Sequence, residues 1–203
     1  MMFYEPSKGH GLPHDPFKAI VSPRPIGWIS TLSKEGEANL APYSFFNAIS
    51  SNPHLVFFSS EGAKDSATHA EETGEFVVNL ASHHLAEQLN ASSVDAPRGV
   101  SEFAYAGLTE APSLLVKPPR VAECHAALEC RVTEVRHPLG LDGSPAGVIV
   151  VTGEVVGVHI SAAVLKDGLF DAVAAGNMAR LGYRDYSTVT EVFQMTRPQW
   201  KDG

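Results

Sequence analysis

Short apolar segments rich in β-branched and aromatic residues recur along this chain, and turns rich in glycine, proline and polar residues separate them. Such segments predict β-strands. The predicted strands cover residues 26–32, 39–48, 55–60, 75–80, 121–135, 148–160 and 191–195, and the predicted helices cover residues 64–73 and 85–91. Many short strands with few helices favour a barrel over a doubly wound sheet.

The two longest predicted strands flank a glycine-rich connection at residues 140–147, which predicts a hairpin. The second of these strands, residues 148–160, is almost entirely apolar apart from Glu154. We therefore expect the core to cover one of its faces and a partner subunit to cover the other. Pro42 interrupts the predicted strand 39–48, and it predicts an edge, a bulge or a bend there because proline lacks a backbone N–H.

Length and charge narrow the class of protein. A chain of 203 residues fits a single domain, and its first 24 residues, rich in proline, glycine and histidine, predict an irregular arm. The formal charge of -8 argues against nucleic-acid binding and against adhesion to anionic membranes. A phosphate-bearing ligand must therefore be held locally, by a few amides, hydroxyls and one or two cations.

The cysteines and the N-terminal sequence predict a cytoplasmic location. Cys124 and Cys130 fall in one predicted strand, where roughly 3.3 Å per residue separates their Cα atoms by about 20 Å, beyond disulfide reach. We expect both as reduced core residues, with an intermolecular bridge left open. The sequence has neither a signal-peptide pattern at its start nor an apolar run of bilayer length.

Several common motifs are missing from the sequence. There is no G-x-G-x-x-G after a strand, no P-loop and no G-x-S-x-G. The histidines and cysteines form neither H-E-x-x-H nor C-x-x-C groupings, so we expect no metal site. The pairs His10 with His14 and His83 with His84 are interpreted as exposed loop residues.

Two segments are candidates for ligand binding. In the first, residues 24–31 and 39–47, Gly27 permits close backbone approach and a proline-bent stretch could turn amides outward beside aromatic rings. Such a surface suits a flat ring rimmed by heteroatoms, although a bent strand with ordinary core aromatics explains it equally well. In the second, strand-end hydroxyls precede Lys64 at the start of a helix, which predicts an anion site. The alternative there is a simple helix cap by Asp65 or Ser66.

The order of several motifs resembles the flavin reductase-like family of FMN-binding split β-barrel proteins. The matching motifs are RPIGWIST at 24–31, NLAPYSFFN at 39–47, FFSS at 57–60, KDS at 64–66, EFVVN at 75–79, AGLT at 106–109, LEC at 128–130 and ARLG at 179–182. The resemblance implies a mainly β, Greek-key-like split barrel with a few flanking helices. It also implies a homodimer with FMN near the interface.

The resemblance further implies which residues contact FMN. The residues it marks as cofactor-binding are Ser30, Thr31, Ser44, Phe45, Phe46, Asn47, Ser59, Ser60, Lys64, Ser66, Asn79 and Arg180. Of these, Ser59, Lys64 and Ser66 match positions that contact phosphate and ribityl groups. Asn79 and Arg180 match more peripheral positions, and Arg180 either reaches the site from the partner subunit or lies near the nicotinamide entry. Where members often carry RLGG, this chain has Tyr183 after Gly182, which makes its substrate preference less certain.

The activity that the resemblance implies is NAD(P)H:flavin oxidoreduction, with NADH or NADPH as a transient co-substrate. The flavin carries the hydride chemistry, so no catalytic acid or base is expected from the chain. Reduced flavin could serve a monooxygenase or a redox partner protein. Two alternatives stay open: a flavoredoxin-like electron-transfer flavoprotein, and a non-catalytic FMN-binding protein.

Overall fold

The computed structural model describes residues 1–97 and 100–200, and most of its regular structure is β-strand. The strands are β1 (Arg24–Pro25), β2 (Gly27–Leu32), β3 (Ala38–Tyr43), β4 (Phe46–Ser51), β5 (His54–Glu61), β6 (Glu75–Leu80), β7 (Glu110–Ala111), β8 (Arg120–Val121), β9 (Ala126–Arg136), β10 (Val148–Ile160), β11 (Leu165–Lys166), β12 (Leu169–Phe170), β13 (Met178–Arg180) and β14 (Tyr186–Thr188). The α-helices are α1 (Phe17–Ile20), α2 (Asp65–Thr73), α3 (Ala86–Ala91), α4 (Glu102–Tyr105) and α5 (Ala172–Ala175).

Seven antiparallel strands form the main sheet in the order β3-β2-β6-β9-β10-β5-β4. The long hairpin of β9 and β10 lies at its centre, as its two apolar runs and glycine-rich connection predicted. The register of this pair shifts between Thr152 and Gly153 and again between Val155 and Gly157. Because such bulges increase local twist, they help the sheet curl into a half-barrel. The predicted barrel-like, mainly β architecture is confirmed.

Both faces of β2 are buried, since it packs between two apolar cores. Ile29 belongs to a core inside the curl of the sheet, together with Phe58 and Phe76, whose rings meet edge to face at 5.3 Å. Trp28 points the opposite way, into a second core with Leu40 and other apolar side chains. Alternating side chains of one strand therefore join the two halves of the molecule.

A small three-stranded sheet brings the two ends of the chain together beside the main sheet. Its order is β1-β13-β14, and Arg24 in β1 lies opposite Arg180 in β13. This pairing places the end of the N-terminal arm against a segment about 155 residues later in the sequence. Arg24 and Arg180 therefore lie side by side, which their spacing in the sequence could not have predicted.

The structure corrects several element boundaries. Pro42 lies within β3, at the edge of the main sheet, and the chain bends two residues later at Ser44 and Phe45. A proline is tolerated at that edge because the ladder on one side of the strand is unpaired. The predicted strand 121–135 is two strands, β8 and β9, separated by a turn. The predicted final strand at 191–195 is wrong, because residues 189–200 have no regular structure.

The predicted helices are found with small changes. Helix α2 ends at Thr73, and Gly74 follows in the left-handed conformation at φ 75°, which glycine adopts without steric cost. The predicted helix 85–91 begins as a 3-10 turn, His83–Leu85, and continues as α3. Both cysteines are free, with Cys130 buried and Cys124 half-buried. Within the described residues no helix is both long and apolar enough to cross a bilayer.

Candidate functional site

Two pockets adjoin on the outer side of the edge strand β3, and Pro42 and Ser93 line both of them. The first, which we name the lysine pocket, has a volume of about 290 Å³ and is also lined by Lys64 and Ser66. The second, named the arginine pocket, has a volume of about 500 Å³. Its wall includes Ser44, Lys18, Arg24, Arg180 and Arg184. Asp65, Asp95 and Glu102 also line the lysine pocket, whereas the described lining of the arginine pocket has no carboxylate.

Lys64 lies at the mouth of the lysine pocket, as the N-cap residue of α2. Its Nζ atom is 3.4 Å from Oδ1 of Asp95, and both side chains are largely exposed. An exposed pair of this kind contributes at most about 1 kcal/mol, so an incoming phosphate could replace the carboxylate. The N-terminal amides and the dipole of α2 add to the attraction of the ammonium group for an anion.

The hydroxyl of Ser66 is held from behind by Asn39. The Asn39 Nδ2 atom donates to Ser66 Oγ at 2.7 Å and contacts Thr31 Oγ1 at 3.3 Å, and all three side chains are buried. Thr31 in turn lies 3.4 Å from Nδ1 of His69. Since Ser66 Oγ accepts a bond from Asn39, the proton on that hydroxyl is left to donate in another direction. The alternative of Ser66 as a simple helix cap does not apply, because Lys64 occupies the cap position.

Tyr43 completes the polar wall of the lysine pocket. Burial raises the pKa of the Tyr43 phenol, and its hydrogen bonds with Ser66 and Ser60 oppose that rise without cancelling it. The phenol is therefore neutral across the physiological range and able to donate. Neither Asn39 nor Tyr43 was predicted as a site residue. Both lie in the NLAPYSFFN motif, on strand β3. Because side chains alternate along a strand, the even spacing of Asn39 and Tyr43 could have indicated that they share one face.

Two of the predicted cofactor contacts use their side chains inside the fold. Ser30 Oγ donates to the carbonyl oxygen of Pro119 at 2.5 Å. The Asn79 amide donates to Trp28 O at 3.1 Å and Ser30 Oγ at 3.0 Å, and its oxygen accepts from Val121 N at 2.7 Å. Both side chains are fully buried. They tie β2, β6 and β8 together and leave only neighbouring backbone to face a ligand.

The predicted ring-binding segment splits into residues that face different ways. The Phe45 ring lies under two cations, with Lys18 Nζ at 5.6 Å and Arg24 Cζ at 5.8 Å from its centroid. The Phe46 ring lines a separate apolar pocket of about 380 Å³. Asn47 is exposed, and its Oδ1 accepts from the amide of Ala48 at 2.8 Å. Of the predicted ring-binding residues 44–47, Ser44 is therefore the one that lines the arginine pocket.

The two predicted segments nevertheless lie side by side. Ser59 N donates to the carbonyl oxygen of Phe45 at 2.8 Å, and Phe46 pairs with Phe58 across β4 and β5. Ser60 Oγ donates to Gly62 O at 3.1 Å, just before α2 begins. The two predicted segments are therefore neighbours in space, but of their predicted contacts only Ser44, Lys64 and Ser66 line the adjoining pockets.

Arg180 is anchored at the far side of the arginine pocket. It donates to the carbonyl oxygen of Tyr183, and its guanidinium lies 4.4 Å from the centroid of the Tyr186 ring. Tyr183 adopts φ 55°, a left-handed conformation that favours glycine. The second glycine of the RLGG pattern is therefore replaced here by a tyrosine that keeps a glycine-like backbone and tilts its ring toward His14 at 5.8 Å.

Comparison with known proteins identifies the family and the fold of this chain. Residues 21–178 match the family described as Flavin reductase like domain. An uncharacterised protein of Halalkalibacterium halodurans is 38% identical over 183 residues, which cover 88% of this chain and 87% of that protein. The crystal structure of nitrilotriacetate monooxygenase component B from Bacillus cereus superposes with a TM-score of 0.87 at 29% identity, covering 96% of this chain and 98% of that one. The 2-nitrobenzoate 2-nitroreductase NbaA of Pseudomonas fluorescens gives a TM-score of 0.80 at 25% identity, covering 92% and 91%.

Proposed function

This chain belongs to the flavin reductase-like family, and from that membership we propose that it binds FMN and reduces it with NADH or NADPH. The observation that carries the proposal is the pair of adjoining pockets along β3, one ending in a lysine and a helix N-terminus. Their volumes fall near the range of about 300–1,000 Å³ usual for small-molecule sites. FMN has the matching shape, with a phosphate at one end and a flat ring at the other.

The residues present fit the phosphate end of FMN. Lys64 supplies a cation whose present partner, Asp95, is exposed and readily displaced. Ser66 supplies a hydroxyl that the hydrogen bond from Asn39 holds in position. In this proposal Lys64, Ser66 and the first amides of α2 hold the phosphate, while the Ser44–Phe45 bend lies beside the ring.

In the proposed reaction, FMN and the protein chain have different roles. Bound FMN would supply the hydride-accepting ring, so the chain has no need of a catalytic acid or base for that step. The chain's own contribution is to position the two partners and to exclude water between them. The neutral Tyr43 phenol and the buried Asn39 amide serve as fixed dipoles that hold the hydroxyls of the lysine pocket in place.

The experiment that tests the proposal is anaerobic reduction followed by absorbance. We expect the FMN-loaded protein to bleach near 450 nm on mixing with NADH or with NADPH. A bound flavin that dithionite reduces but neither nucleotide bleaches would overturn the reductase and favour an electron-transfer flavoprotein. Failure to bind FMN at all would favour a barrel that has lost its flavin.

We also propose a homodimer and an external acceptor for the reduced flavin. Val158 and Ile160, at the end of β10, are exposed large apolar side chains that a partner subunit could cover. Light scattering after size exclusion should give twice the mass of 21.7 kDa. The similar Bacillus cereus protein is named as a monooxygenase component, so a monooxygenase is the first acceptor to try.

A further inference from the structure

The segment that follows β14, residues 190–200, is exposed along its whole length. It forms neither a hydrogen bond nor an ion pair with the rest of the described chain. It nevertheless carries the large apolar side chains of Val192, Phe193, Met195 and Trp200, of which the two aromatic residues are 85% and 91% exposed. Large apolar side chains grouped on a surface in this way mark a site of interaction with another molecule.

The 190–200 segment continues the line of an edge strand. The amide of Val189 donates to the carbonyl oxygen of Asn177 at 2.9 Å, just beyond the pairing of β14 with β13. In an extended continuation Val189, Phe193 and Met195 share one face, because side chains alternate along a strand. An extended segment with apolar side chains on one face and unpaired backbone amides is suited to dock on a neighbouring chain.

The apolar pocket of about 380 Å³ lies where this segment begins, since Val189 forms part of its wall. Its other walls come mainly from β1, β4, β6, β9 and β13, and among the side chains that line it only Asn79 and Asn177 are polar. The Oδ1 atom of Asn177 is buried and has no hydrogen-bond partner within the described residues. A buried acceptor without a donor is costly, and a peptide N–H entering the pocket could supply the donor.

The apolar surface extends from this pocket onto the end of β10. Ala126 and Leu128 line the pocket, and they lie opposite Ile160 and Val158 in the β9–β10 register. Residues that lie opposite each other in a sheet point to the same face, so the exposed side chains of β10 continue the surface of the pocket. These are the same side chains that the proposed homodimer would cover.

The reach and the origin of the 190–200 segment favour a second copy of this chain as its partner. At roughly 3.3 Å per residue the segment spans about 35 Å, enough to cross an interface and lie along the face of a neighbour. Because each segment begins at the rim of its own pocket, a twofold axis beside the pockets brings each segment to the pocket of the other copy.

The area that such an exchange would bury is that of a stable dimer. Phenylalanine and tryptophan bury about 150–250 Å² each. The rings of Phe193 and Trp200 from two exchanged segments, together with the surfaces that they cover, therefore bury an area within the roughly 1,200–2,000 Å² of a standard interface.

We propose that two copies of this chain exchange their 190–200 segments, and that each segment packs Phe193 and Met195 into the apolar pocket of the other copy. The inference rests on the proposed homodimer, but it does not depend on the flavin or nicotinamide chemistry. Ile26 lines both the apolar pocket and the arginine pocket. The exchanged segment of one copy would thus lie one side chain away from the proposed flavin site of the other.

Light scattering after size exclusion of the full-length chain tests the exchange. Phe193→Asp should leave the fold of one copy intact, because the ring is exposed there. We expect the dimer dissociation constant to rise at least about 100-fold, since each dimer loses two buried rings. The control is Leu141→Asp, an exposed apolar residue in the turn at the opposite end of the β9–β10 hairpin, and it should leave the mass unchanged.

A fluorescent peptide with the sequence of residues 189–200 tests the pocket. We expect it to bind the Phe193→Asp protein, whose pocket is no longer filled, and to bind wild type at least about tenfold more weakly because the exchanged segments compete with it. Adding Ala126→Phe to Phe193→Asp places a ring in the pocket and should weaken peptide binding about tenfold. Failure of the peptide to bind Phe193→Asp, or equal binding with and without Ala126→Phe, overturns the assignment to this pocket.

The outcomes keep the exchange separate from the dimer. If wild type and Phe193→Asp dimerise equally well, the homodimer stands and the exchange is overturned. A monomeric wild type overturns both, and peptide binding to Phe193→Asp would then indicate a segment that folds back onto its own pocket. A dimeric wild type, a dissociated Phe193→Asp and a peptide that Ala126→Phe displaces support the exchange. Bleaching of bound FMN by NADH bears only on the reductase, whichever of these results is found.

Discussion

The Nε2 atom of His159 in β10 lies 2.5 Å from Oε1 of Glu129 in the neighbouring strand β9, and the Glu129 side chain is fully buried. The same carboxylate accepts the backbone amides of Leu114, Leu115 and Val116 at 2.6–3.1 Å. Glu129 therefore ties the segment before β8 onto the central hairpin. Burial alone would raise the pKa of Glu129, but the hydrogen bonds from His159 and the two leucine amides outweigh it and hold the pKa below its ordinary value.

We predict that Glu129→Gln lowers the free energy of unfolding at pH 7 by about 2–4 kcal/mol, because a charged acceptor of several hydrogen bonds is lost. A carboxylate with a lowered pKa stabilises the fold above the unfolded value of about 4.3, and this contribution disappears as the pH falls through the folded value. The gap between wild type and variant should thus shrink below about pH 4. Urea unfolding across that range measures it.

The control for Glu129 is Glu134→Gln. Glu134 pairs with Arg136 at 2.6 Å, but on the surface. We expect no measurable change in stability there, because water screens an exposed ion pair. If Glu129→Gln and Glu134→Gln lowered the free energy of unfolding equally at pH 7, the buried hydrogen bonds of Glu129 would not stabilise the fold more than an exposed ion pair does.

Asn79→Ala should cost about 2–3 kcal/mol of stability, since Trp28 O, Ser30 Oγ and Val121 N all lose a buried partner. The FMN dissociation constant of the folded fraction should change by less than about threefold, because the side chain faces the core. The matched variant is Asn47→Ala, whose exposed side chain, within residues 1–97 and 100–200, bonds only to the amide of Ala48. Denaturation and fluorescence titration on both variants check this, and an intact stability in Asn79→Ala would contradict it.

Gly27→Ala should destabilise the protein by about 1–3 kcal/mol through overpacking. A Cβ atom at Gly27 would lie 2.6 Å from the Phe46 ring, so the ring must move. Gly157→Ala is the comparison, because the nearest atoms there are 3.4 Å away. Melting temperatures of the two variants decide the matter. A drop no larger at Gly27 than at Gly157 would mean that Phe46 yields without cost.

Lys64→Ala should raise the dissociation constant for FMN about 10- to 100-fold, the loss of one charged hydrogen bond to phosphate. Lys34→Ala removes a similarly exposed lysine that pairs with Glu72 at 3.7 Å, outside the lysine pocket. Its effect on FMN should be below about twofold. Fluorescence titration of the two variants side by side is the measurement, and equal affinities would argue against the phosphate site at α2.

Local features of this protein could be predicted from the sequence because short-range physics decides them. Strand β6 and the end of α2 at Gly74 have the predicted bounds, since side-chain alternation and the left-handed glycine act within a few residues. The order of the motifs was enough to identify the family and its barrel.

Where side chains point, and what they meet, was decided by tertiary structure. Of the edge, bulge or bend that Pro42 predicted, the fold gives the edge: Pro42 pairs with Trp28 on one side of β3. The bend follows at Ser44–Phe45. Asn79, which a motif suggested for the cofactor, faces a core that exists only once β2, β6 and β8 have met. Arg24 and Arg180 share a pocket because β1 pairs with β13. Such contacts form between strands that are distant in the sequence, and they depend on the free energy of the whole sheet. Local sequence patterns therefore cannot predict them.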